Sequence, residues 1–370
     1  MKNKLLTSLG FFAVLSCGKS GASISPIKEA WNKANDPIQL AQDYQLSFDQ
    51  LPLAGETPKR PWSDTYWPSY RSGIAVRWNG NDKTAFDYTT PTADELSQMS
   101  FSEIAKLSAA EKYDILAGRF DYPLVTRERE RTSANRPTWE GICHGWSPAA
   151  INFEEPKSVT VSTIDGVAIP FGSSDVKALL SYYQGEISNA NFRSIGERCD
   201  VDISNLTPDQ IPIECRDTNA GAFHVVLTNQ LGIMKQAFVA DVTIDLEVWN
   251  QPVHGFKSKV VSRNDGASPG AARGTVAEVT IETKMMYSVE VGANWDALNG
   301  TLSQANRIKT YSYRVELNAG GEIIGGAWIS EDRPDFLWQQ EKPEFEGYFS
   351  KLSDLYSAAV ASNGIVNPVN

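Results

Sequence analysis

The stretch Thr275-Val-Ala-Glu-Val-Thr-Ile-Glu-Thr-Lys284 sets Ala277, Val279 and Ile281 against Glu278, Thr280 and Glu282. A period of two sends successive side chains to opposite faces of an extended chain, one buried and one wet. Half-buried strands of this kind belong to antiparallel sheets. Tyr311 to Leu317 repeats the pattern, and Ala319-Gly320-Gly321-Glu322 reads as a hairpin turn into a strand from Ile323 to Ile329. Upstream, Ala222 to Leu227 reads as a buried strand, and Gln236 to Asp241 as a second one after a break near Gly232. Ser262 to Gly274 is rich in Gly, Ser, Pro and Asn and reads as a surface loop. The C-terminal half is therefore sheet-rich and mostly antiparallel.

Helices concentrate ahead of it. Thr92, Ser100 and Ser108 are each followed three residues later by a glutamate (Glu95, Glu103, Glu111), the spacing of a capping box. Phe101, Ile104, Leu107 and Ala110 recur at helical spacing. Ser158 to Ile169 reads as a strand or hairpin with a turn at Asp165-Gly166, and Ser174 or Asp175 as the cap of a helix through Leu179, Leu180 and Tyr183 that ends near Gly185. A last helix is expected near Tyr348 to Ala361, and the charge run Arg127 to Arg131 reads as a solvated face. Residues 61–80, with three tryptophans and two tyrosines, read as core or as the wall of a cleft. The fold class is α+β, a helix-rich N-terminal half packed on a mostly antiparallel sheet.

At 370 residues, 41% apolar and 10% aromatic, the chain can bury a sizeable core. A net charge of -11 argues against nucleic acid as a partner. Residues 1–17 read as a leader: Lys2 and Lys4 precede an apolar run, Leu5 to Leu15, too short to span a bilayer. Val14-Leu15-Ser16-Cys17 resembles a bacterial lipobox, with Cys17 as the lipidated residue; a plain secretory signal is the alternative. Either way the chain is expected to be exported, to the bacterial cell envelope as an outer-membrane lipoprotein or as a secreted protein, meeting a membrane only through a lipid anchor. Residues 18–60, with a helical segment near Ile27 to Lys33, read as an extended lead-in or tether, and 61–370 as a single catalytic domain with its core at about 139–260. No internal repeat and no metal-ligand spacing is found.

Cysteine usage points to the chemistry. With Cys17 assigned to lipid, Cys199 and Cys215 flank a short Asp- and Pro-containing loop, and a disulfide between them is the simplest pairing, worth roughly 3 kcal/mol by loop entropy. Cys143 is then the unassigned thiol. It lies in Trp139-Glu-Gly-Ile-Cys143-His-Gly-Trp-Ser-Pro-Ala-Ala150, just ahead of a short helix whose N-terminal dipole favours a thiolate. A cysteine nucleophile needs a base, usually a histidine oriented by a carboxylate. His144 is adjacent and points elsewhere; His254 lies in a Pro/Gly-flanked turn and is expected to be exposed; His224, within the apolar 222–227 run, is preferred. The competing reading of His224 is a hydrogen-bonded core residue. The carboxylate is Asp241, after Phe238-Val239-Ala240, or Asp245 four residues on. The order Cys, His, Asp is similar to that of papain-like and transglutaminase-like sites.

Val248-Trp249-Asn250-Gln251-Pro252-Val253-His254-Gly255-Phe256-Lys257 closely resembles the surface peptide of the oomycete transglutaminase elicitor family, which plants detect as a pathogen signature. His254 stands where that peptide carries Arg. Pro61 to Pro68, Ala110 to Asp114, the Cys143 motif, the His224 segment and Arg333 to Trp338 also look like family blocks, in the expected order. The resemblance implies a protein-glutamine γ-glutamyltransferase that joins protein Gln and Lys side chains through a thioester on Cys143, with His224 shuttling protons and Asp241 orienting it or working directly with the thiol. It requires no cofactor, although Ca2+ dependence would be in keeping with the family. The alternatives are a cysteine hydrolase on the same site, peptidase or glutamine deamidase, and a non-catalytic envelope lipoprotein. Trp249, Asn250, Gln251 and Pro252 read first as support for the Asp241 strand and second as a recognised surface.

Overall fold

The computed structural model describes residues 33–80, 85–196, 206, 210, 218–243 and 247–361. The leader with Cys17, nearly all of the segment read as helical from Ile27, the Cys199–Cys215 pairing and Asp245 lie outside the described residues. The helices are α1 (Ala93–Gln98), α2 (Phe101–Ile104), α3 (Ala109–Leu116), α4 (Pro123–Arg131), α5 (Cys143–Asn152), α6 (Ser173–Tyr182), α7 (Ala220–Leu227) and α8 (Lys351–Ala361). The strands are β1 (Ala54–Glu56), β2 (Val159–Ser162), β3 (Ala168–Phe171), β4 (Phe192–Ile195), β5 (Phe238–Asp241), β6 (Asn250–Asp265), β7 (Ala277–Ser288), β8 (Asn306–Leu317), β9 (Ile323–Trp328) and β10 (Leu337–Gln340).

The alternating stretch forms β7, paired with β6 on one side and β8 on the other, in an antiparallel sheet ordered β4-β10-β5-β6-β7-β8-β9. The short strand β1, from the lead-in, pairs with β6 beside β5. The fold class is the one expected. The 262–274 loop is shorter than read, because β6 continues to Asp265. β2 and β3 form the separate hairpin, turning through Gly166 at φ +82°.

All three capping boxes form. Thr92, Ser100 and Ser108 accept from the backbone N–H of Glu95, Glu103 and Glu111, whose carboxylates reach back to the cap N–H groups. They start the helices of one core, built from Trp62, Trp67, Tyr113, Trp146, Leu179, Tyr182 and their neighbours. A second core lies between α7 and the sheet: Phe223, Val226, Phe238, Ala240, Val253, Ile281, Tyr313 and Trp328. α5 lies between the two, packed on α6 on one side and on β5 and β6 on the other.

Three local readings are corrected. Residues 222–227 are helix, not strand. Asn219 Oδ1 caps α7 by accepting from the N–H groups of Gly221 and Ala222, and α7 lies flush on β9, where a Cβ on Gly221 would stand 2.3 Å from the Gly325 carbonyl oxygen. A short, fully buried apolar run carries no periodicity to separate the two states. α6 begins at Ser173, with Gly172 as its cap and Asp175 as the reaching-back carboxylate (2.7 Å). The Arg127–Arg131 run is not wholly solvated: Glu128 is buried, accepts from Ile74 N–H (2.9 Å) and pairs with Arg131 (2.8 Å).

Candidate active site

Cys143 is the first residue of α5. Its backbone is fixed from both sides. Ile142 N–H donates to the Tyr66 carbonyl at 2.8 Å, and a Cβ on Gly141 would stand 2.4 Å from that oxygen. A Cβ on Gly145 would stand 2.1 Å from the Ser181 carbonyl oxygen, so α5 and α6 touch backbone to backbone. The glycines that flank Cys143 are thus what seat it.

Opposite the thiol lies the junction of β5 and β6, where Asp241 and Asn250 are register partners. Phe238 and Ala240 belong to the α7-side core, so Val239 and Asp241 face the other way, toward α5. The thiol donates to the Val248 carbonyl (3.5 Å), and Asn250 Nδ2 donates to Sγ (3.7 Å). Trp338 Nε1 donates to Asn250 Oδ1 (2.8 Å), which leaves the amide nitrogen to face the sulfur. Ser147 Oγ donates to the Asn250 carbonyl. Trp249 N–H donates to Asp241 Oδ1 (3.1 Å), so residues 248–250 join the thiol and the carboxylate. The chain just beyond Asp241 is pinned, the Val242 carbonyl accepting from Lys309 Nζ (2.6 Å) and Tyr311 OH (3.1 Å).

The structure brings Cys143 and Asp241 together and leaves His224 apart. His224 is on α7, fully buried on the opposite face of the sheet, with Nδ1 2.7 Å from Tyr313 OH and its ring stacked on Phe48. Burial pushes its pKa down to about 3, so the ring is neutral. It is the hydrogen-bonded core histidine of the competing reading. His254 is corrected from an exposed turn to a buried position in β6, with Nε2 3.1 Å from Asn306 Oδ1. His144 turns from the thiol to Glu186, at 3.2 Å.

Cys143 is 6% exposed. Burial pushes its thiol up to about 11; the Asn250 hydrogen bonds oppose this, and the charges of Glu290 and Asp241 add to it. Desolvation therefore outweighs those hydrogen bonds, and the resting group is a thiol rather than the expected thiolate. The Tyr66 and Trp249 rings, whose backbones hold Ile142 and Asp241, meet edge to face at 5.7 Å. A cleft of about 1260 Å³ lies elsewhere, against the C-terminal part of α5 from Pro148, and the thiol is not among its walls. Among the described residues no group of three or more His, Cys, Asp or Glu side chains is arranged to hold a metal ion. Sequence reasoning missed Asn250 as a thiol contact. The signal for Asn250 was present, since it lies inside the 248–257 peptide.

The sequence model of the transglutaminase elicitor family matches residues 39–351. Among solved structures the chain is similar to the GP42 transglutaminase from Phytophthora sojae, with a TM-score of 0.67 and 24% sequence identity over 90% of this chain and 99% of that one. No curated protein sequence matches significantly.

Proposed function

The chain belongs to the transglutaminase elicitor family, and from that premise we propose that it is a protein-glutamine γ-glutamyltransferase with Cys143 as nucleophile. The observation that carries the reading is the contact of the thiol with the family's own peptide: Val248 and Asn250 touch Sγ, and Trp249 holds Asp241 beside it.

In this reading Sγ attacks the side-chain carboxamide carbon of a protein glutamine, and Asp241 takes the thiol proton. Asp241 replaces His224 as the base, since the imidazole lies across the sheet. The oxyanion is met by Asn250 Nδ2 and by first-turn N–H groups of α5, where the intrahelical bonds to Ile142 begin only at Gly145 and Trp146. The C–N bond breaks, the proton passes to the leaving nitrogen, and ammonia departs. The thioester is resolved when a lysine amine attacks the carbonyl carbon, forming an isopeptide bond and returning the thiol. A buried thiol limits hydrolysis of the thioester by water, which favours transfer over the hydrolase alternative. The protein partners are carriers of Gln and Lys side chains, met outside the cytoplasm if the Cys17 leader acts as read. No helix among the described residues is long and apolar enough to cross a membrane.

The test is incorporation of a labelled primary amine into a glutamine-rich protein, with ammonia release followed in parallel. Equal ammonia and amine yields, both lost in Cys143→Ala, are the expected result. Ammonia without amine incorporation would make the protein a deamidase, and labelling that survives Cys143→Ala would sink the reading.

A further inference from the structure

Resting on the transglutaminase reading, we propose that the cleft against the C-terminal half of α5 is a docking site for an extended segment of the glutamine-bearing protein, separate from the thiol. The thiol itself gives a protein little to hold. Cys143 is 6% exposed, and its polar contacts are with Val248 and Asn250 of its own chain. The cleft encloses about 1260 Å³, walled by α5 from Pro148, by β5 and β10, by residues 57–62 and by the chain between Ala297 and Gln304.

Two of these walls also carry the site. Pro148 follows Cys143 by five residues on α5, a rise of about 7.5 Å. Val239 precedes Asp241 by two residues on the same face of β5, about 7 Å along the strand. An extended chain covers such a distance in two or three residues.

The chemistry of the lining selects the ligand. Asn152 Nδ2 donates to the Gln340 carbonyl (3.0 Å) and to Gln184 Oε1 (3.2 Å), and Gln340 Nε2 donates to the Gln184 carbonyl (3.3 Å). A backbone carbonyl can only accept, so both NH2 groups must face the protein. Asn152 Oδ1 and Gln340 Oε1 receive no hydrogen bond from the described residues and are not buried, which leaves them as open acceptors on the cleft wall. Lys235 and Gln236, exposed on the turn into β5, add donors. The carboxylates on the walls are already paired, Glu155 with Lys177 (2.5 Å), Glu341 with Arg193 (3.5 Å) and Glu154 with Lys59. Lys157 and Lys235 form no ion pair among the described residues. The cleft therefore does not select the ammonium group of an acceptor lysine. Ile151, Ala237 and Ala297 add partly exposed apolar surface. A polypeptide main chain offers N–H and C=O groups in alternation, and one that carries neutral or acidic side chains matches this lining.

Ala297→Trp and, separately, Gln236→Trp fill the cleft in the full chain from positions outside both cores. Ile164→Trp, at the 92% exposed turn of the β2–β3 hairpin, is the control. Two donors are compared with one small labelled amine. One is casein with dimethylated lysines, which can only donate; the other is carbobenzoxy-glutaminylglycine, which extends one residue beyond its glutamine. Each cleft variant is expected to raise KM for the casein about 10-fold relative to its effect on the dipeptide, the contribution of one or two peptide hydrogen bonds, with kcat for the casein kept. Binding of the labelled casein to the Cys143→Ala chain, read by fluorescence anisotropy, should weaken by the same factor when either cleft substitution is added. The control should do neither. Equal effects on both donors, or casein binding unmoved by both cleft substitutions, would overturn the assignment. Failure of the wild type to incorporate amine with either donor would instead sink the transglutaminase reading, and the binding measurement would still decide the cleft.

Discussion

Gly145→Ala puts the seating of the nucleophile to a quantitative test. The added Cβ would stand 2.1 Å from the Ser181 carbonyl oxygen and 3.1 Å from Gly185 Cα, against 3.4 Å for ordinary contact. Both obstacles are backbone, so the relief must come from separating α5 and α6 by about 1.3 Å, the difference between 3.4 and 2.1 Å. Overpacking of this kind costs about 1–3 kcal/mol, which a protein of ordinary stability survives. Cys143 is two residues away on the same helix turn and moves with it. A misplacement of about 1 Å at a reacting atom costs on the order of 100-fold in rate. Amine incorporation and urea denaturation of the same preparation are measured together, with Gly118→Ala as control. Gly118 also lies next to a helix end, at φ +73°, but nothing is within 4 Å of its Cβ position. The control should lose about 1 kcal/mol to backbone strain and keep its activity. A Gly145→Ala enzyme with wild-type kcat would refute the claim that the α5–α6 contact sets the position of the sulfur.

Two further outcomes follow from the site. His224→Gln should retain amine incorporation, and it should flatten the acid limb of stability. Burial holds the pKa of the native imidazole down at about 3, against about 6.5 for a histidine in water. The unfolded chain therefore binds the extra proton between those values, and stability that is fully present above pH 6.5 is lost as pH falls toward 3, up to roughly 4–5 kcal/mol. Urea midpoints at pH 7 and pH 4.5 measure this, and a loss of kcat by several orders of magnitude in the folded variant would return His224 to the mechanism. Asn250→Ala should lower kcat by about 10²–10³-fold with little change in KM for the glutamine donor, because it removes a donor used by the oxyanion; a pure KM effect in steady-state kinetics would contradict that role.

The sheet was legible because Ala277, Val279 and Ile281 alternate with charged or polar residues over a long span, and the helix starts because each capping box is a local chemical pair. The segment holding His224 was not, because all of α7 is buried and a run apolar on every side has no period to read. Its signals were the Asn219 cap and the glycine contact with β9, and neither stands out without knowing what packs there. Misreading that segment as a strand placed the imidazole beside Asp241; as a helix it lies across the sheet. Cys143 and Asp241 were singled out by the isolated thiol and by the apolar run before the carboxylate, and the structure sets both against residues 248–250. Asn250 begins β6, and only the β5–β6 register sets it opposite Asp241 and against the sulfur. The buried polar pairs Lys112–Asp175 and Glu111–Arg77 explain why the Ala110–Asp114 block is charged within a core.

The central claim is that the Cys143 sulfur carries the acyl group. It is tested most directly by mixing the enzyme with a glutamine peptide and no amine, quenching in acid within the first turnover, and mapping the adduct by mass spectrometry. The account predicts a peptide adduct lighter by one ammonia on the fragment containing Cys143, absent in Cys143→Ala and discharged by added amine. Release of ammonia with no adduct on that fragment, or an adduct on another residue, would contradict it.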